Sequence, residues 1–89
     1  MKESAILTIS GRVQGVGFRY FVKQNADLLA ICGFVKNLSD RRVHLEAEGN
    51  KQQLELFIDI CKQGPSHARV ENVEIQYCPL QDFNGFVIK

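Results

Sequence analysis

The chain has 89 residues, 45% of them hydrophobic, and a formal net charge of +1 from eleven basic and ten acidic side chains. That length predicts one domain, 1–89, with one modest core, and the composition excludes a disordered or low-complexity chain. The charge balance excludes a dedicated nucleic-acid binder, which needs a clustered basic excess, while leaving room to grip one small anion with a single arginine.

Met1 to Ser4 runs straight into an alternating stretch. No continuous apolar run of signal-peptide or membrane-spanning kind exists, so a cytosolic, reduced protein is expected. In Ala5–Val13, the residues Ala5, Leu7 and Ile9 alternate with Ile6, Thr8 and Ser10, the pattern of a strand. Gln14-Gly15-Val16-Gly17 then breaks the chain as a loop. From Phe18 to Cys32 the period changes. Phe18, Phe21, Val22, Asn25, Leu29 and Cys32 fall near one face, with Arg19, Lys23 and Asp27 elsewhere. This predicts an amphipathic helix of about four turns, closed by Gly33.

Phe34–Ser39 reads as a short strand, Asp40-Arg41-Arg42 as a polar turn, and Val43–Gly49 as the second arm of a hairpin. Val43, Leu45 and Ala47 face one way, and His44, Glu46 and Glu48 the other, on a face expected to be solvated. Asn50 is the expected N-cap of a second helix, with Gln53 in the capping-box position. Leu54, Phe57, Ile58 and Cys61 give that helix its apolar stripe, and Gly64-Pro65-Ser66 stops it. Ala68–Tyr77 is a further strand and Phe86–Ile88 a last short one. The order β-α-β-β-α-β plus a terminal strand predicts an α+β, ferredoxin-like sandwich. Its antiparallel-rich sheet carries both helices on one face and leaves the other uncovered. Cys32, Cys61 and Cys78 are odd in number and widely spaced, without a C-x-x-C pair. They read as small hydrophobes rather than as a disulfide or zinc framework.

Chemistry concentrates in Gly11–Arg19, G-R-V-Q-G-V-G-F-R, which leaves a strand and opens a helix. Glycines let the backbone turn sharply. The free amides at a helix start, together with its dipole, form an anion site. A bare tight connection explains the glycines as well. The segment is neither a Walker A loop nor a dinucleotide fingerprint. Arg19 opposes the helix dipole at a cost of a few tenths of a kcal/mol, roughly, which a bound anion would reverse. Its planar fork suits two phosphate oxygens. Position alone does not separate this role from that of a solvated arginine.

A strand that follows a crossover helix runs parallel to the strand before it. Asn37, late in its strand, should therefore end beside the glycine loop and Arg19. Asn is disfavoured inside strands, although a polar residue at a strand end needs no further reason. Lys36 should point to the opposite face. His44 and His67 read as surface residues, and Arg41-Arg42 is too short a basic run for a nucleic-acid patch.

G-R-V-Q-G-V-G-F-R closely resembles the first sequence pattern of the acylphosphatase family, and G-F-V-K-N, Gly33–Asn37, resembles the second. The likeness continues through Leu45-Glu46-Ala47-Glu48-Gly49, through Gly64–Val70 and into Phe86-Val87-Ile88. The resemblance implies a ferredoxin-like fold and hydrolysis of acyl phosphates to a carboxylate and inorganic phosphate. It puts Arg19 in the place of the phosphate-binding arginine and Asn37 in that of the water-positioning asparagine. Gln14, Gly15, Val16, Gly17 and Phe18 correspond to the loop whose amides hold the phosphate. No metal or cofactor is expected. Two departures stand out: Ser39-Asp40-Arg41-Arg42 lacks the glycine often found in that turn, and Phe34 stands where a larger aromatic often sits.

A carboxylate leaving group hardly needs a general acid, and phosphoryl transfer is mainly positioning plus charge stabilisation. A carboxamide is no base at neutral pH, so a substrate phosphate oxygen is expected to take the water's proton. The competing expectation is a non-catalytic small-ligand or RNA-binding module on the same fold. RNA would need exposed aromatics on the sheet, where Glu46 and Glu48 stand instead. A further alternative is a domain detached from a larger carbamoyl-transfer maturation protein. The expectation is a stand-alone monomer acting on a small acyl phosphate, without nucleic-acid or membrane partners.

Overall fold

In the computed structural model, which describes residues 1–89, the elements are β1 (Lys2–Arg12), α1 (Phe18–Leu28), β2 (Cys32–Asn37), β3 (Val43–Asn50), α2 (Lys51–Gln63), β4 (Arg69–Cys78) and β5 (Phe86–Ile88). They form one sheet in the order β4-β1-β3-β2-β5. Both β1 and β2 pair antiparallel with β3. They therefore point the same way, and the turns that follow them lie at one end of the sheet. The last strand, β5, adds to β2 in parallel. The ferredoxin-like expectation holds, with two helices on one face.

Alternation decides which face is buried. Ala5, Leu7, Ile9, Val35, Val43, Leu45 and Ala47 are buried against Phe18, Val22 and Ala26 of α1 and Leu54, Phe57, Ile58 and Cys61 of α2. The apolar stripe predicted for α2 is complete. Burying one large side chain such as Phe57 stabilises the fold by about 1.5–3 kcal/mol. Phe57 also meets Phe86 edge-on, with ring centroids 6.1 Å apart. Burial holds the Cys61 thiol neutral, its pKa raised to about 12. Cys32 and Cys78 are half-buried, and all three cysteines are free thiols.

The first helix ends sooner than its apolar spacing predicts. It stops at Leu28, and a Schellman turn follows. Ile31 N–H donates to Ala26 O at 2.8 Å and Ala30 N–H to Asp27 O at 3.4 Å. Ala30 takes the left-handed conformation at φ 56°. The expected terminator, Gly33, lies inside β2 instead, at φ 144°, where a Cβ would stand 1.8 Å from Glu46 O of the neighbouring strand. Asn25, the one polar residue in the predicted stripe, donates its carboxamide back to Phe21 O at 2.8 Å. Since left-handed backbone penalises a Cβ, Ala30→Gly is expected to raise stability by about 0.5–1 kcal/mol in urea denaturation. Activity should be unaffected.

The capping box is half formed. Asn50 accepts from Gln52 N–H at 3.0 Å, while Lys51 N–H goes to Met1 O at 2.8 Å. Gln53 stays exposed because the amide it would cap lies in β3, paired with β1.

The outer sheet face is not fully open either. Cys78, Ser4, Glu48 and Cys32 form one row across four strands. The segment from Pro79 to Gly85 returns over this end of the face on its way from β4 to β5. Glu48, expected in solvent, is 2% exposed. Its carboxylate accepts the main-chain N–H of Gln81 at 2.6 Å and of Phe83 at 3.3 Å. Phe83 in turn packs edge-on against Phe34, at 5.9 Å. Lys36 does point to this outer face, 6.0 Å over the Phe34 ring.

Candidate active site

The loop after β1 meets the hairpin after β2 at the end of the sheet where both strands finish. Gly15 and Gly17 sit at φ 74° and 76°, the left-handed region, and a Cβ at either would meet nothing within 4 Å. Glycine is required there by backbone conformation, and the space above the loop is open. Gly17 is the N-cap of α1 and supplies no side-chain acceptor, nor does any acidic residue stand in the first turn. The first intrahelical bond is Phe21 N–H to Gly17 O at 3.0 Å. The amides before Phe21 therefore have no partner within the helix, as at any helix start. Phe18, 1% exposed, pins the helix start into the core.

Gln14, Gly15, Gly17, Phe18, Arg19 and Asn37 line a single pocket of about 200 Å³. Arg19 and Asn37, 18 positions apart in sequence (37 minus 19), reach it from α1 and the end of β2. Val35 is buried, and Asn37, two residues on, shares its face but lies past the core. Val16 does not line the pocket; its side chain packs against the core. Arg19 is half-buried and is the pocket's only charged side chain. It donates from Nη1 to Lys89 O at 3.3 Å, and Lys89 N–H donates to Val35 O at 2.8 Å.

Several contributors are invisible in the sequence motifs. Tyr20, 70% exposed, and Ile88, 38% exposed, form apolar surface at the rim. The Gln14 side chain points away from solvent, and its Nε2 donates to Leu38 O and Arg42 O, each at 2.9 Å. The hairpin between them turns through Arg41 at φ 76°, the conformation the missing glycine would suit. Asp40 holds this turn by accepting Arg42 N–H at 3.2 Å and Arg42 Nε at 2.8 Å. The hydrogen bond from the Arg42 amide keeps its carboxyl below the usual value.

The histidines stand apart. His44 pairs with Glu46 at 3.1 Å on the outer face, and His67 is exposed in the turn before β4. A larger groove of about 440 Å³ opens at the other end of β1, among Lys2, Ser4, Lys51 and Tyr77. It includes the start of α2, but the Lys51 amide is already bonded to Met1 O and the Gln52 amide to Asn50 Oδ1, and no arginine lines it. No helix is long and apolar enough to cross a membrane.

Comparison with known proteins identifies the family and bears out the fold. The family model described as Acylphosphatase matches residues 5–88. An acylphosphatase of Thermus thermophilus is 47% identical over 81 residues, covering 91% of this chain and 92% of that protein. The crystal structure of acylphosphatase from Bacillus subtilis superposes with a TM-score of 0.93 at 38% identity, covering 100% of this chain and 99% of that one. Full-length HypF contains a similar unit, with a TM-score of 0.89 and 27% identity, on 12% of its chain.

Proposed function

The chain belongs to the acylphosphatase family and hydrolyses the carboxyl–phosphate bond of acyl phosphates, and we propose that the 14–18 amides and Arg19 hold the phosphate while Asn37 places the attacking water. Water attacks phosphorus, the bond from phosphorus to the acyl oxygen breaks, and the acyl group leaves as a carboxylate. The proton lost by the water goes to a phosphate oxygen, giving inorganic phosphate. Stabilisation comes from donors already aimed at the phosphate, in a turnover dominated by positioning.

The observation that carries this reading is the content of the pocket. It brings Arg19, Asn37 and the glycine loop together and is lined by no histidine, carboxylate or cysteine. Such a site holds no general base of the usual kind and no ligand set for a metal. We read the enzyme as a metal-free monomer in the cytosol, without a nucleic-acid partner. The aromatic on the outer sheet face, Phe34, is covered by Phe83 and by Lys89, whose Nζ lies 4.0 Å from the ring centroid. It leaves no free platform for stacking a base.

Benzoyl phosphate should be hydrolysed at an undiminished rate in excess chelator, and kcat should show no inflection between about pH 6 and 8 from a protein group. Loss of turnover on chelation, restored by one divalent metal, would sink the metal-free reading. A bell-shaped profile near neutrality would sink proton transfer to the substrate.

A further inference from the structure

Gln14 connects two parts of the site that the reaction needs at a fixed separation. Its main chain belongs to the phosphate loop. Its carboxamide donates to Leu38 O, one residue after Asn37, and to Arg42 O on the opposite arm of the hairpin, each at 2.9 Å. Each of these carbonyls already has a main-chain donor. Leu38 N–H donates to Arg42 O at 2.8 Å, and Arg41 N–H to Leu38 O at 3.2 Å. The hairpin is thus closed by its own backbone, and no carbonyl is orphaned without Gln14. What the side chain adds is a tie from the hairpin to the loop.

We infer that Gln14 is a positioning residue whose side-chain amide sets Asn37, and hence the attacking water, in register with the phosphate held by the loop. The inference rests on the roles proposed above for the loop and Asn37. In-line attack depends on where the water stands relative to the bound phosphorus, and a displacement of about 1 Å can cost roughly 100-fold in rate. Loosening the tie should leave phosphate binding intact and slow the chemical step.

The test is Gln14→Met, which keeps the length of the side chain and removes the donors, assayed with benzoyl phosphate and with inorganic phosphate as competitive inhibitor. The expected result is a fall in kcat of roughly 10- to 100-fold, with Ki for phosphate within about threefold of wild type. Because Gln14 acts through Asn37, the same substitution made in Asn37→Ala should cost less than about threefold in kcat. Gln14→Lys, whose ammonium can donate to both carbonyls, should recover most of the loss. Should the Met variant not fold, Gln14→Asn, which draws the amide back by one methylene, carries the same expectations.

Unchanged kcat in Gln14→Met, beside an inactive Asn37→Ala, overturns the inference and leaves the proposed roles standing. So does an equal loss in both backgrounds, or a Ki that rises in step with the fall in kcat. Full activity in Asn37→Ala removes the water-positioning role itself, and the inference with it.

Discussion

Arg19→Ala should lower kcat/KM for benzoyl phosphate by roughly 10³-fold or more, the scale on which a lone arginine stabilises a transferring phosphoryl group. Arg19 is the only charged side chain in the pocket, so no neighbour can replace it. Its fork is steadied by a main-chain oxygen of Lys89, which would limit the freedom lost on gripping a phosphate oxygen. Arg19→Lys keeps the charge and loses the paired geometry, and should fall between the two. Stability offers the contrast. Removing a cation from the first turn of α1 relieves the dipole by a few tenths of a kcal/mol, roughly. The lost hydrogen bond to Lys89 O costs about 0.5–1.5 kcal/mol at most, less at this partly exposed position. Denaturation should therefore change by no more than about 1 kcal/mol while activity collapses. Matched losses of both would make Arg19 a structural residue.

Asn37→Ala should behave differently. In the proposed role the group contacts the water rather than the phosphate, so kcat should fall roughly 10²- to 10³-fold while Ki for inorganic phosphate stays within about threefold of wild type. Asn37 is exposed beyond the core, and such substitutions usually change stability by about 0.5 kcal/mol or less. Steady-state kinetics with phosphate inhibition would separate the two outcomes. A variant that binds phosphate weakly but turns over normally would assign Asn37 to binding and leave the water unplaced. Together the two substitutions test whether the pocket divides into a phosphate grip and a water site, as proposed above.

Much of this was legible because local pattern and tertiary placement agree. The alternation of Ala5, Leu7 and Ile9, the stripe of Leu54, Phe57, Ile58 and Cys61, and the strand order all follow from periodicity. Asn37 reached the glycine loop by topology alone, through the parallel run of β1 and β2. The rest depends on long-range contacts. Glu48 alternates like a surface residue, and only the return of Pro79–Gly85 over the sheet buries it. Gln14 reads as a backbone donor in a glycine loop, yet its side chain bonds residues 24 and 28 positions away. Ile88 and a main-chain oxygen of Lys89 reach the site from the far end of the sequence. The early end of α1 is a local exception. Its apolar spacing runs on to Cys32, but a Schellman turn built on Ala30 cuts the helix at Leu28. Ala is a poor signal for left-handed backbone.

The roles of the loop and Arg19 are tested most directly by titrating the protein with inorganic phosphate while following each backbone amide by nitrogen-15 NMR. Saturable shifts confined to the amides of 14–18 and the Arg19 region, retained in Asn37→Ala and abolished in Arg19→Ala, are the predicted result. Saturable shifts centred elsewhere, for instance on Arg12 and Arg41 at the neighbouring groove, or no saturation at all, would contradict the assignment of this pocket as the phosphate site.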